Sequence, residues 1–241
     1  MIVEWQKSAA EYAVCYVESG MVVGLGSGST AAFAVRRIGQ LLRTGRLQRI
    51  RGVPTSRAVE ALAREQGIPL TTLERDPAID VTIDGADEVD PHLNLIKGRG
   101  GALLYEKIAA WSSRREIIVV DESKLVQKLG TRAPVPVEVV PCARAVVALA
   151  LSELGGEPAL RERDGAAAPT DEGNLILDCR FDGIDDPSGL DRAISAIPGV
   201  VEHGLFLGLA SMVVVAGREG VRVLHARGCR MGAGGDATDA W

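Results

Sequence analysis

The sequence predicts an α/β protein: a Rossmann-like parallel-sheet domain with an inserted ferredoxin-like α+β domain. Three observations predict it. Short apolar strands alternate with helices up to residue 121, the signature of a parallel sheet covered by helices on both faces. From 134 to 207 the order becomes β-α-β-β-α-β, the split βαβ pattern of a small ferredoxin-like unit. The chain then returns to an apolar hairpin, MVVVAG and VRVLH at 212–225, which is expected to rejoin the first sheet. The domains are therefore 1–130 plus 208–227, and 131–207, with Gly-rich 228–241 as a flexible tail.

Taken in order, Glu4–Glu18 reads as a helix, with Trp5, Ala9, Tyr12 and Tyr16 on one stripe and Gly20 after its end. Residues 21–26 form a strand, SGST a turn, and the helix AAFAVRRIGQLLRTG follows from Thr30. Ile50–Val53 is a second strand, Ser56–Gln66 a helix, Leu70–Leu73 a third strand and Val81–Ile83 a fourth, ending at Asp84. A helix over Gly101–Ser112 precedes a fifth strand, REIIVVD. In the second unit, strands fall at 134–140, 159–163, 175–179 and 199–207, and helices at Ala143–Leu154 and Ser188–Ala196.

Composition excludes several classes. Of 241 residues, 46% are hydrophobic and 24% charged, an ordinary globular balance. The net charge is -5, with no long Lys/Arg run, so the basic stripe of a nucleic-acid binder is absent. The longest uncharged apolar run, Gly204–Gly217, falls short of the roughly 20 residues that span a bilayer. The N-terminus lacks the apolar core of a secretory signal. Cys15, Cys142, Cys179 and Cys229 are scattered, without CxxC or Cys/His spacing, and read as small buried thiols rather than zinc ligands. A reduced, cytoplasmic protein is expected, with no nucleic-acid or membrane partner.

The chemistry-bearing residues gather in four stretches. GLGSGST (24–30) lies between a strand and a helix. Its glycines admit close backbone approach, and the helix N-terminus offers free N–H groups to a phosphate. It is neither a Walker A loop nor the full dinucleotide fingerprint, since Thr30 stands at the third glycine. The alternative is a plain βα turn capped by Ser29 or Thr30. DGADEVD (84–90) follows a strand, at the carboxyl edge where open parallel sheets bind ligands. Its carboxylates would hold sugar hydroxyls, bind a divalent cation, or form a solvated acidic loop. The oxygen-ligand pattern of an EF-hand is missing.

KGRGG (97–101) supplies Lys97 and Arg99 on an amide-rich turn, suited to an anion or simply to solvent. Glu106 shares a helical stripe with Leu103 and Ala110, while Leu104, Ile108 and Trp111 form the expected core stripe on the other side. That leaves Glu106 facing either solvent or a cleft at the sheet edge. Lys124 follows the fifth strand. Three strand ends thus bring two anion sites and two carboxylates to one edge.

In order and spacing, GLGSGST, DGADEVD, IKGRGGALLYEK and DESKLV…LG resemble the type A family of ribose-5-phosphate isomerases. PVEVVP, TDEGNLILD and AIPGVVEHGLF are similar to the family's later text, so the resemblance covers about residues 4–225. It implies interconversion of D-ribose 5-phosphate and D-ribulose 5-phosphate in the non-oxidative pentose phosphate pathway. It also implies no cofactor and no metal, and a homodimer or higher homo-oligomer. The family's base maps to Glu106, its DGAD aspartates to Asp84 and Asp87, and its catalytic lysine to Lys97. Substrate binding maps to Ser27, Gly28, Ser29, Thr30, Gly85, Ala86, Gly98, Arg99, Gly100 and Lys124.

Two departures stand out. Arg99 replaces a common glycine, and Tyr105 an arginine that often precedes the glutamate. The family's N-terminal lysine beside the phosphate maps to Lys7 or, one residue earlier, to Gln6. Two alternatives share the fold. A sugar-phosphate-sensing module would bring a DNA-binding domain, for which this chain has no spare segment. A coenzyme A transferase would use its glutamate as a nucleophile.

Overall fold

A computed structural model describes residues 1–225; the expected flexible tail over 228–241 and Cys229 lie outside the described residues. Helix α1 (Ile2–Ala13) and a 3₁₀ turn at Val14–Tyr16 come first. Then β1 (Val22–Leu25) leads into α2 (Gly28–Arg43), and β2 (Arg51–Pro54) into α3 (Arg57–Glu65). After β3 (Val81–Asp84), two short strands, β4 (Glu88–Val89) and β5 (Leu95–Ile96), precede α4 (Leu103–Trp111) and β6 (Glu116–Asp121). The second region runs β7 (Val135–Val139), α5 (Arg144–Glu153), β8 (Glu157–Leu160), β9 (Glu162–Arg163), β10 (Ala166–Ala167), β11 (Leu175–Arg180), α6 (Pro187–Ser195) and β12 (Val200–His203). Finally come β13 (Leu205–Phe206), β14 (Met212–Gly217) and β15 (Gly220–His225).

The fold is mixed α/β, with a six-stranded sheet in the order β15-β14-β6-β3-β1-β2. All its pairings are parallel except the β14–β15 hairpin at the edge. The hairpin does rejoin this sheet, through β14 against β6. Burial on both faces explains the uninterrupted apolar strands. In β6, Ile117 and Val119 enter a core shared with α1, α2 and α3, while Ile118 and Val120 enter the core on the opposite face, where α4 contributes Ala110. That alternation is the two-residue period of a strand.

Two smaller antiparallel sheets complete the molecule. A four-stranded sheet, β12-β7-β11-β8, packs α5 and α6 around Val137, Val147, Leu151 and Ile194. A three-stranded sheet, β13-β5-β4, places Phe206, fully buried, beside Leu95. Burying such a side chain stabilises the fold by about 1.5–3 kcal/mol.

Four expectations need correction. Leu70–Leu73 is no strand; a single bridge forms, in which Gly52 donates to the Pro69 carbonyl and accepts from the Thr71 N–H, and the Thr71 hydroxyl bonds Asp76 as the chain turns after it. On α1 the buried residues are Ala9, Ala10 and Ala13, while Tyr12 is exposed, since small residues let the helix lie close on the sheet. Cys15 and Cys142 are exposed, and of the described cysteines only Cys179 is buried. On α4 the expected core stripe is inverted. Trp111 is 80% exposed and Ile108 39%, whereas Leu103, Glu106, Ala109 and Ala110 face inward.

Candidate active site

Parallel pairing sets the carboxyl ends of β1, β3 and β6 side by side. Each end delivers one loop: 26–30 from β1, 85–87 from β3 and 122–124 from β6. Gly26 allows the first two to touch, since a Cβ there would fall 2.4 Å from the Asp84 carboxyl. Asp84 then ties them together. Its Oδ1 accepts hydrogen bonds from the backbone N–H of Ser27 (3.0 Å) and of Gly85 (2.7 Å).

Helix α2 starts at Gly28 with Ser27 as N-cap, not Ser29 or Thr30, and the Ser27 side chain makes no capping bond. Its hydroxyl instead lies 2.9 Å from both Thr55 Oγ1 and Ser56 Oγ. The first-turn N–H groups therefore stay available at the positive end of the helix, the geometry that binds phosphate.

A cavity of about 360 Å³ opens over this edge. Its wall includes Ser27, Gly28, Ser29, Thr30, Gly85, Ala86, Asp87, Lys97, Gly98, Arg99, Gly100, Glu106 and Lys124. The structure thus brings together every residue expected at the site except Asp84, which lies fully buried beside it. Gln6 also lines the cavity and donates to Asp121 Oδ2 at 3.3 Å. Lys7 points outward and pairs with Glu11, so the earlier of the two registers is the one that faces the site.

Lys97 is 2% exposed, not the solvated turn residue its glycine-rich setting suggested. Its Nζ lies 3.0 Å from Asp84 Oδ2, 3.2 Å from Glu106 Oε2 and 5.3 Å from the Phe206 ring, and it donates to the Gly85 carbonyl. Neither carboxylate oxygen receives a well-aligned hydrogen bond, so the ammonium acts on them as a charge. Burial works against that charge, but Asp84, Glu106 and Glu116 outweigh it and hold the lysine pKa above its ordinary value.

Glu106 is 4% exposed. Burial raises its pKa most, Lys97 pulls it down, Asp84 pushes it up again, and the balance is about 7. Burial likewise raises Asp84, against Lys97 and the two backbone donors. Glu116 was not anticipated. It is fully buried at the start of β6, with neither oxygen hydrogen-bonded, and burial, with Asp84 adding, raises its pKa well above the usual range. Nothing in the sequence distinguishes it from a surface acid at a strand start. Thr55 and Ser56 were also missed, although they follow β2 at the same sheet edge.

The cavity lining combines the N-terminus of α2 and Lys124 with a carboxylate–ammonium pair whose carboxyl is poised near neutrality. That arrangement suits a small phosphorylated substrate undergoing proton transfer at carbon. Among the described residues, no group of three or more His, Cys, Asp and Glu side chains is arranged to hold a metal, and no helix is long and apolar enough to cross a membrane.

Residues 51–220 match the family model described as ribose 5-phosphate isomerase A (phosphoriboisomerase A). A ribose-5-phosphate isomerase A from Roseiflexus sp. (strain RS-1) is 56% identical over 94% of this chain and 97% of its own. One from Thermococcus kodakarensis is 47% identical over 91% and 96%. A solved D-ribose-5-phosphate isomerase in complex with phospho-erythronic acid superposes with a TM-score of 0.91 at 44% identity, covering 93% of this chain and 99% of that one. The Plasmodium falciparum enzyme gives 0.91 at 40% identity, with the same coverage. The chain belongs to the ribose 5-phosphate isomerase A family.

Proposed function

We propose that this chain interconverts D-ribose 5-phosphate and D-ribulose 5-phosphate through an enediolate, with Glu106 as the base. The observation that carries the proposal is a buried carboxyl with a pKa of about 7, 3.2 Å from a buried ammonium, in the same cavity as a free helix N-terminus. The relative in complex with phospho-erythronic acid supports it, because that ligand joins a phosphate to a planar carboxylate shaped like an enediolate.

The helix N-terminus at Ser27–Thr30, with Lys124, holds the phosphate, and this remote binding orients the reacting carbons. Arg99 adds a further cation on the wall. Glu106 removes the C2 proton of the open-chain aldose. The electron pair forms the C1–C2 double bond, and charge moves onto O1 beside Lys97. A fixed charge in a water-poor site is worth more there than in solvent. Asp87, on the cavity wall, opens the furanose ring and moves the O2 proton to O1. Asp84 acts from behind, holding Lys97 and both loops. Glu106 returns its proton to C1 as the C2 carbonyl forms.

Several coarser expectations extend this reading. Residues 1–130 plus 208–225 form a Rossmann-like unit, the expected end at 227 lying outside the described residues, and 131–207 a ferredoxin-like insertion; the strand order β12-β7-β11-β8 supports the latter. A homodimer or higher homo-oligomer fits the exposed apolar side chains of α4, Ile108 and Trp111. The protein works in the cytoplasm, in the non-oxidative pentose phosphate pathway, without a cofactor. The test is conversion of ribose 5-phosphate to ribulose 5-phosphate in EDTA. Turnover should survive chelation. Absence of turnover would reject the function, and loss on chelation would mean that the DGAD carboxylates hold a metal.

A further inference from the structure

We propose that Arg161, braced by Asp178, is a positioning residue for the isomerisation, holding the turn that carries Lys97 from outside the cavity. The proposal rests on the function proposed above for the cavity, and it gives the four-stranded sheet a part in that chemistry.

Arg161 follows β8, and its backbone N–H bonds the Ile176 carbonyl, fixing its root against β11. Its side chain is 16% exposed. Nε donates to Asp178 Oδ2 at 2.8 Å and Nη2 to Asp178 Oδ1, a two-point pairing that locks the guanidinium plane. The remaining nitrogen, Nη1, donates to the carbonyls of Gly98 (2.9 Å) and Arg99 (3.1 Å). Those carbonyls belong to the turn between Lys97 and α4, where Gly98 and Gly101 have φ of +103° and +86°, a backbone that side-chain-bearing residues resist. The turn closes on itself through the Gly101 N–H, which donates to the Gly98 carbonyl at 3.0 Å, but its placement over the sheet comes from its neighbours.

Three neighbours supply it. Gly204 O accepts the Lys97 N–H at 2.9 Å, Asp87 Oδ2 accepts the Arg99 N–H at 3.0 Å, and Arg161 takes the two carbonyls. The consequence reaches the cavity through peptide geometry. No peptide bond is cis among the described residues, so the N–H of Gly100 points opposite to the Arg99 carbonyl that Arg161 holds. Gly100 lines the cavity, whereas Arg161 is not among its lining residues. Arg161 thus sets the direction of an amide at the reacting end, along with the approach of Lys97 and the start of the helix bearing Glu106. Lysine cannot replace it, because a single ammonium lacks the planar fork that serves a carboxylate and two carbonyls together.

The test compares wild type with Arg161→Lys, Arg161→Met and the double variant Arg161→Met/Asp178→Leu. The double variant leaves no unpaired buried charge and so keeps a folded readout if the methionine variant fails. Turnover of ribose 5-phosphate and amide exchange over 98–106 are both measured. We expect kcat to fall about 10- to 100-fold, as for a misplacement of roughly 1 Å, with KM little changed. Arg161→Lys should recover thermal stability without recovering kcat, and exchange should quicken over 98–106 while the β7 and β11 amides stay protected. Folded variants with wild-type kcat and unchanged exchange would overturn the proposal. If wild type itself does not turn over ribose 5-phosphate, the functional reading fails, and the exchange measurement still decides the role of Arg161.

Discussion

The molecule buries carboxylates in two ways, and the contrast separates scaffold from chemistry. Glu88 and Glu138 are 0% and 1% exposed. Glu88 accepts hydrogen bonds from the backbone N–H groups of Gly130, Arg132 and Ala133 at 2.5–2.7 Å. Glu138 accepts from Thr170 and Asn174. These acids fasten loops to strands. Under α4, by contrast, Glu106 Oε2 and both Glu116 oxygens receive no hydrogen bond, and Lys97 is the cation shared with Asp84. The cost of burying charge is offset by donors in the first pair and left partly standing in the second. Groups left in that condition shift their pKa, and a carboxyl brought to about 7 is a base suited to neutral pH.

Apart from replacing the base itself, the largest expected effect comes from removing the shared cation. Lys97→Met should lower kcat about 10²–10³-fold, the scale of losing one transition-state charge stabiliser. It should also destabilise the fold by about 3–5 kcal/mol in urea unfolding, because buried carboxyls lose their counter-charge. A fully active variant would show that the cluster is scaffold after all. Glu88→Gln tests the other member of the comparison. It breaks the acceptor set of three backbone N–H groups and should cost about 1–3 kcal/mol of stability, with kcat of the folded protein little changed. A large loss of kcat with stability intact would erase the distinction. The smallest effects concern the N-terminal helix. Gln6→Ala should raise KM several-fold, whereas Lys7→Ala, a surface change, should alter kcat/KM by less than about twofold; the reverse ranking would place Lys7 at the phosphate.

What was legible in the sequence depended on backbone chemistry. GLGSGST, DGADEVD and KGRGG sit at strand ends and announce themselves by glycines and charges, so these three loops could be placed at one sheet edge from the sequence, while Gln6 on the cavity wall could not. The environment of α4 was not legible. Its apolar stripe, Leu104, Ile108 and Trp111, reads as core by periodicity, yet Trp111 and Ile108 face solvent and Glu106 faces inward. Periodicity reports which residues share a face, not which face a buried lysine elsewhere has made hospitable to a carboxylate. Thr55, Ser56, Glu116 and Arg161 were hidden for a related reason. Each acts through a partner at least 28 residues away in sequence or through burial alone.

The most direct test of the central claim is the pH dependence of kcat/KM for wild type and Glu106→Gln, run beside thermal unfolding. As the base, Glu106 must be ionised, so wild-type kcat/KM, which reports the free enzyme, should fall as pH drops through about 7, with one proton taken up. Its raised pKa stabilises the fold below about 4.5, and that contribution is lost as pH rises through about 7, so wild type should lose stability relative to Glu106→Gln between pH 5 and 8. The variant should retain its fold, lose about 10²–10⁴-fold in kcat and lose the acidic limb. A folded Glu106→Gln protein that keeps most of its kcat, with the same acidic limb, would contradict the account.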